Sequence, residues 1–144
     1  MTRCLDCGAI RVSPREPMAR RLESIHKRLV NLIQQHQPDQ VAIEDVFYAV
    51  NVKSALKLGQ VRGVAMLAAS SAGLHVAEYA PLSIKSAVVG YGKAEKSQVQ
   101  WMVTRLLDLA EPPEPEDASD ALAIAICHLH TCATLDRQRA VATR

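Results

Sequence analysis

The sequence predicts an α/β domain in which helices cover a central sheet. Three observations carry that prediction. Short β-branched runs alternate with longer helix-patterned segments, the order that builds layered α/β folds with parallel pairings. The chain has 144 residues and is 49% hydrophobic, enough for one sizeable core. No internal repeat and no second composition break divides it, so a single domain over residues 1–132 with a polar tail over residues 133–144 is expected.

The elements follow in order. The opening stretch "RCLDCGAIRV" (residues 3–12) reads either as a strand carrying two thiols or as half of a zinc site, and "SPREP" ends it. Met18, Leu22, Ile25, Leu29 and Leu32/Ile33 then recur at spacings of three and four with Arg20, Arg21, Lys27 and Arg28 between them, an amphipathic helix that Pro38 closes. "QVAIEDVF" is a short β-branched run that suits a strand buried on both faces. Residues 54–72 are rich in Ala, Leu, Gly and Val without a clean stripe, which fits a helix covered on more than one side. "LHVAEYA" reads as a further strand, and Pro81 opens a short helix because proline suits the first helical position. "GYGKAEK" is a loop. Val99, Met102/Val103, Leu106 and Leu107 mark another helix, "EPPEPE" is a connector, and a last helix starts near Asp117 and carries "ALAIAI" into "CHLH".

Composition narrows the function classes. No run of eighteen apolar residues is present, so no membrane span is expected, and the first residues hold no apolar stretch of the kind a secretory signal needs. Four cysteines without such a signal fit free thiols in a reducing cytoplasm. Net charge is +2 but unevenly spread. Residues 1–36 hold seven Lys/Arg against three Asp/Glu, residues 53–96 six against two, and residues 108–120 six carboxylates with no base. Basic segments beside an acidic one suit a polyanion binder that also holds cations.

Three carboxylates stand out. Glu44 ends a buried run at the C-terminal end of a strand, where α/β sheets place their ligand sites. Asp117 and Asp120, three residues apart at a helix start, share one face, although first-turn acids also serve the helix dipole. Hard oxygen ligands of this kind select Mg²⁺ or Mn²⁺, and such ions can clamp a phosphodiester for attack by water.

Three stretches make the reading specific. "VAIEDVFYAVNVKSALKLGQVRGVA" (residues 41–65), "VVGYGKAEKSQVQWMV" (residues 88–103) and "DASDALAIAICH" (residues 117–128) resemble the RuvC family of crossover junction endodeoxyribonucleases, in order and in spacing, over residues 4–130. The resemblance implies an RNase H-like three-layer fold with a central mixed sheet. It also implies a homodimer that resolves Holliday junctions by nicking two strands of like polarity, leaving 5′-phosphate and 3′-hydroxyl ends. A branch-migration motor is the partner complex that it implies, besides four-way junction DNA. By motif match Glu44 falls on the acid of the family's "IE-x-V-F" strand, and Asp117 and Asp120 fall on its "D-A-x-D-A" pair. These would be catalytic ligands for two Mg²⁺ ions per subunit, with Mn²⁺ able to substitute. Phe47 matches an aromatic placed near the junction bases, and Lys85 and Lys96 match basic positions near the scissile phosphate. Arg62, in "GQVRGVA", is assigned at most a phosphate contact or packing.

One departure matters. The family opens with a "GIDPG"-like strand whose aspartate is the first ligand, and Asp6 lies too close to Glu44 to be that residue. "GAIRV" (residues 8–12) then reads as the third strand of a five-stranded sheet. The expectation is a chain read from a start codon placed downstream, without its first two strands, and of little or no activity as given. Two other readings follow from the same residues. One is a junction-binding module without cleavage. The other is a zinc-stabilised nucleic-acid-binding module using Cys4 and Cys7 with two of Cys127, His128, His130 and Cys132.

Overall fold

A computed structural model of the chain describes residues 1–45 and 51–143. The described elements run α1 (Met18–His36), β1 (Gln40–Glu44), α2 (Val52–Ser71), β2 (His75–Tyr79), α3 (Pro81–Val89), α4 (Lys96–Leu106) and α5 (Glu116–Ala142). They fall into two compact units, one formed by Ile10–Glu78 and the other by Met1–Ala9 with Tyr79–Arg144.

In the Ile10–Glu78 unit, β1 and β2 are hydrogen-bonded neighbours in a two-stranded sheet, and α1 packs on α2. The half-buried stripe of α1 is the expected one, Met18, Leu22, Ile25, Leu29 and Ile33. On its outer side Glu23 sits between Arg20 at 2.9 Å and Lys27 at 3.0 Å, and hydrogen bonds from Lys27, then Arg20, hold its carboxyl below the usual range. Gln37, in the left-handed region at φ 46°, returns its N–H to the Ile33 carbonyl at 2.9 Å, and Pro38 prevents continuation. Asn51 caps α2 by accepting from the Ser54 N–H at 2.9 Å. At the other end Gly73 takes φ 76°, a conformation glycine adopts without penalty, and the Leu74 N–H reaches the Ala69 carbonyl at 3.0 Å.

In the other unit, α3, α4 and α5 pack on one another. Ile84 and Val88 from α3, Val99 and Val103 from α4, and Ala123, Ile126 and Cys127 from α5 form the core with Ala94 and Leu107. Val103 is completely enclosed. Pro81 opens α3 as expected, and Gly90 at φ 101° closes it by donating to the Ser86 carbonyl at 2.9 Å. Glu95 and Gln98 form a capping box at the start of α4, with the Glu95 N–H donating to Gln98 Oε1 at 2.8 Å. By length and composition α5 could cross a bilayer, with a mean hydropathy of 1.2 over eighteen residues. Its Ala118, Ala123, Ile126 and Cys127 are buried in the core.

Two expectations are corrected. Residues 8–12 are not a strand, and the described sheet contains only β1 and β2. A β-branched run becomes a strand when a neighbour takes up its N–H and C=O groups, and among the described residues "GAIRV" has no such ladder partner. The tail is the second. Residues 133–142 continue α5 without a break to Ala142. Ala, Leu, Arg and Gln in "ATLDRQRAVA" are strong helix formers, and an established helix extends one hydrogen bond per residue without renewed nucleation. The predicted strand over "QVAIEDVF" is observed as Gln40–Glu44; its last two residues lie outside the described positions.

Candidate metal and nucleic-acid site

The acidic centre of the second unit is built by a helix start. Pro115 precedes the first turn of α5, which presents Glu116 and Asp117 to the positive end of the helix dipole. Ala118 and Ser119 turn inward and are buried, and the Ser119 hydroxyl donates to the Pro113 carbonyl at 3.3 Å. The inward pair anchors the turn, leaving Asp117 exposed and Asp120 half-buried.

A cation from α4 meets this turn. Lys96 Nζ lies 3.2 Å from Glu116 Oε2 and 3.3 Å from Asp120 Oδ2. The hydrogen bond to Glu116, then that to Asp120, holds the ammonium above the usual lysine range. Lys96 is the first residue of α4, so the capping box that fixes that helix start also fixes where its side chain begins. Lys85 is half-buried on α3 in the same unit.

Glu44 belongs to the Ile10–Glu78 unit and is half-buried at the end of β1, as the sequence predicts. Arg62 Nε donates to its main-chain carbonyl at 3.1 Å. The Arg62 guanidinium also pairs with Asp45 Oδ1 at 3.3 Å and with Glu78 Oε1. Phe47 lies outside the described residues.

The structure therefore brings Asp120 and Lys96 together and adds Glu116, which the sequence reading left out. A capping or connector role explained Glu116 as well as a site role did, so no sequence signal separated it from the rest of "EPPEPE". Arg62 was also underestimated, because its partners lie 16 and 18 residues away and on different strands.

The donor chemistry fits a hard divalent cation. Asp117 and Asp120 offer carboxylate oxygens, and the Lys96 ammonium already occupies the position beside Asp120 that a positive charge favours. Among the described residues no group of three or more His, Cys, Asp or Glu converges as a metal cage. The thiols and imidazoles of the zinc reading are placed as follows. Cys4 is half-buried against the core, with its thiol pushed up by burial and then by Cys7, and its Sγ donates to the Asp6 carbonyl at 3.4 Å. Cys127 is buried and donates to the Ser83 carbonyl at 3.7 Å, while His128 Nδ1 lies 2.6 Å from Tyr79 Oη and His130 Nδ1 is 3.1 Å from the Ala87 carbonyl. These are packed core and cap roles.

Comparison with known proteins gives one result throughout. The family model described as crossover junction endodeoxyribonuclease RuvC matches residues 1–128. The crossover junction endodeoxyribonuclease RuvC of Koribacter versatilis is 64% identical over 139 residues, covering 96% of this chain and 84% of the relative. That of Acidobacterium capsulatum is 59% identical over 137 residues, covering 95% and 80%. Among solved structures, Thermus thermophilus RuvC matches with a TM-score of 0.85 at 36% identity over 92% of this chain and 80% of that one. The same protein in complex with a Holliday junction substrate matches with a TM-score of 0.87 at 36% identity, over 90% and 79%. The α/β fold predicted from the sequence is the fold of these neighbours.

Proposed function

This chain belongs to the RuvC family of crossover junction endodeoxyribonucleases, and from that membership we propose that Glu44, Asp117 and Asp120 are its catalytic carboxylates and four-way junction DNA its substrate. It is a hydrolase of phosphodiester bonds serving DNA recombination and repair. The observation that carries the site assignment is the start of α5, where Asp120 and Glu116 hold the Lys96 ammonium within 3.3 Å.

Glu44, Asp117 and Asp120 would hold Mg²⁺, or Mn²⁺ in its place, and the ion supplies a water nucleophile and charge neutralisation at the phosphate. The side chains of this chain do the rest. Buried Ala118 and Ser119 fix the turn that carries both aspartates, so their carboxylates would meet a cation without first being ordered. Lys96 places a positive charge beside Asp120, where it can steady charge developing on a phosphodiester. Lys85 adds a second cation in the same unit, and Phe47 supplies a ring on which a junction base can stack.

The test is a synthetic four-way junction with Mg²⁺. Paired nicks in strands of like polarity, lost in EDTA, would support the nuclease. Binding without nicks in either Mg²⁺ or Mn²⁺ would favour the non-cleaving junction-binding module instead.

We also propose a homodimer. Helix α2 leaves Leu56 64%, Leu67 58% and Leu58 49% exposed, and Gly59 and Gly63, one turn apart, face open space. An apolar helix with small residues in register suits close approach of a second copy, and nicking two strands needs two sites. Sedimentation should report twice the 15.7 kDa chain mass, and Leu56→Glu with Leu67→Glu should return the monomer while leaving α1 and the sheet folded. A wild-type monomer at micromolar concentration would end the dimer proposal. A branch-migration motor complex is the remaining partner that this reading proposes.

A further inference from the structure

Arg62 makes three attachments at the strand ends of the Ile10–Glu78 unit. From α2, its Nε donates to the Glu44 carbonyl at 3.1 Å, and its Nη2 pairs with Asp45 Oδ1 at 3.3 Å and with Glu78 Oε1. The side chain is only 26% exposed. Exposed ion pairs contribute little, because water screens them and two flexible side chains must be ordered. This contact differs in kind. One planar fork joins a helix to both strands of the sheet, and one of its bonds is to main chain rather than to a mobile carboxylate. Lysine could place a charge there but has no fork to hold three acceptors at once.

The consequence falls on Glu44. A glutamate has three side-chain torsions, so where its carboxylate arrives depends on where its Cα begins. The Arg62 bond to the Glu44 carbonyl fixes the peptide at that starting point, and the salt bridges fix the residue that follows and the neighbouring strand. We propose that Arg62 is a positioning residue for Glu44, holding the C-terminal end of β1 against α2 and β2 so that the carboxylate is preset for its ligand role. The inference rests on the reading of Glu44 as a metal-binding carboxylate. Arg62 touches neither phosphate nor metal in this role; it acts through the backbone of β1.

Four variants of the full chain separate the possibilities: Arg62→Met, which keeps length and removes the fork; Arg62→Lys; Glu78→Gln; and Glu44→Gln. The first readout is Mn²⁺ affinity of the protein without DNA, by electron paramagnetic resonance. The second is amide hydrogen exchange at Glu44 and Asp45. Arg62→Met should weaken Mn²⁺ binding about 10-fold or more, the range for outer-shell partners of metal ligands, and should speed exchange at both amides. Junction binding should stay at the wild-type level. Arg62→Lys should recover part of the loss. Glu78→Gln leaves Arg62 bonded to Glu44 and Asp45, so it should fold even if Arg62→Met does not, and its Mn²⁺ affinity should fall between wild type and Arg62→Met. Unchanged Mn²⁺ affinity and exchange in Arg62→Met, or in Glu78→Gln should the former not fold, overturns the positioning role. If Glu44→Gln weakens Mn²⁺ binding in that same series, only the Arg62 inference fails. Wild-type Mn²⁺ affinity in Glu44→Gln removes the reading of Glu44 itself.

Discussion

In a longer version of the chain that nicks junctions, replacing Asp117 by asparagine should abolish nicking while leaving the fold and junction binding intact. Asparagine keeps the size and shape of the side chain but removes the charge that a hard metal ligand would need. The loss of a ligand forfeits several kcal/mol of transition-state charge stabilisation, which at 1.36 kcal/mol per tenfold is on the order of 10³-fold in rate. The structural cost is small by comparison. Asp117 is exposed, and the α5 start is anchored by buried Ala118 and Ser119 on the opposite side of the turn. Losing one acid from a first turn costs about 0.3–1 kcal/mol through the helix dipole. The check combines nicking rate in Mg²⁺, gel-shift affinity for a four-way junction in Ca²⁺ or EDTA, and thermal unfolding. A variant that nicks at the wild-type rate removes Asp117 from the site. A variant that loses binding and stability together would mean that the aspartate serves the helix alone.

The places of Glu44, Asp117 and Asp120 could be read from the sequence, because each sits at the end or the start of an element; their ligand role is the proposal. Glu44 closes a β-branched run, and Asp117 and Asp120 lie in the opening turns of the long apolar helix α5. Local pattern fixes such positions, and the structure puts β1 and α5 where that pattern does. Helix α1 was equally legible, since its apolar stripe and Pro38 are both signals within one segment. What the sequence hid is non-local. Arg62 meets Glu44 and Glu78 through tertiary geometry, and nothing in "GQVRGVA" states which strand ends its fork will reach. Residues 8–12 fail in the opposite way. Their composition is right for a strand, but strand formation depends on a hydrogen-bonding neighbour and not on the segment's own residues. The prolonged α5 shows the same asymmetry, because a polar composition argues against burial but not against helix.

Lys96 supports the second large effect, and here two measurements should move in opposite directions. Lys96→Met removes the ammonium that lies 3.2 Å from Glu116 and 3.3 Å from Asp120. Without DNA, a divalent cation approaching Asp120 would no longer face a neighbouring positive charge, nor compete with one for the carboxylate. Mn²⁺ should therefore bind the variant at least as tightly as the wild type. Nicking should nonetheless fall, because the same ammonium is the cation that can steady charge developing on the phosphate. Removal of one preorganised electrostatic partner costs on the order of 10²–10³-fold in kcat. The substitution is mild for the fold. Lys96 is half-exposed, and the capping box between Glu95 and Gln98 holds the start of α4 through other atoms. Lys96→Arg should restore part of the rate, since it keeps the charge but not the compact ammonium. Calorimetric Mn²⁺ titration alongside single-turnover nicking resolves the two roles. Weaker metal binding with a proportionate loss of rate would make Lys96 a support for the carboxylates. Tighter or equal binding with slow nicking places its charge on the phosphate side of the site.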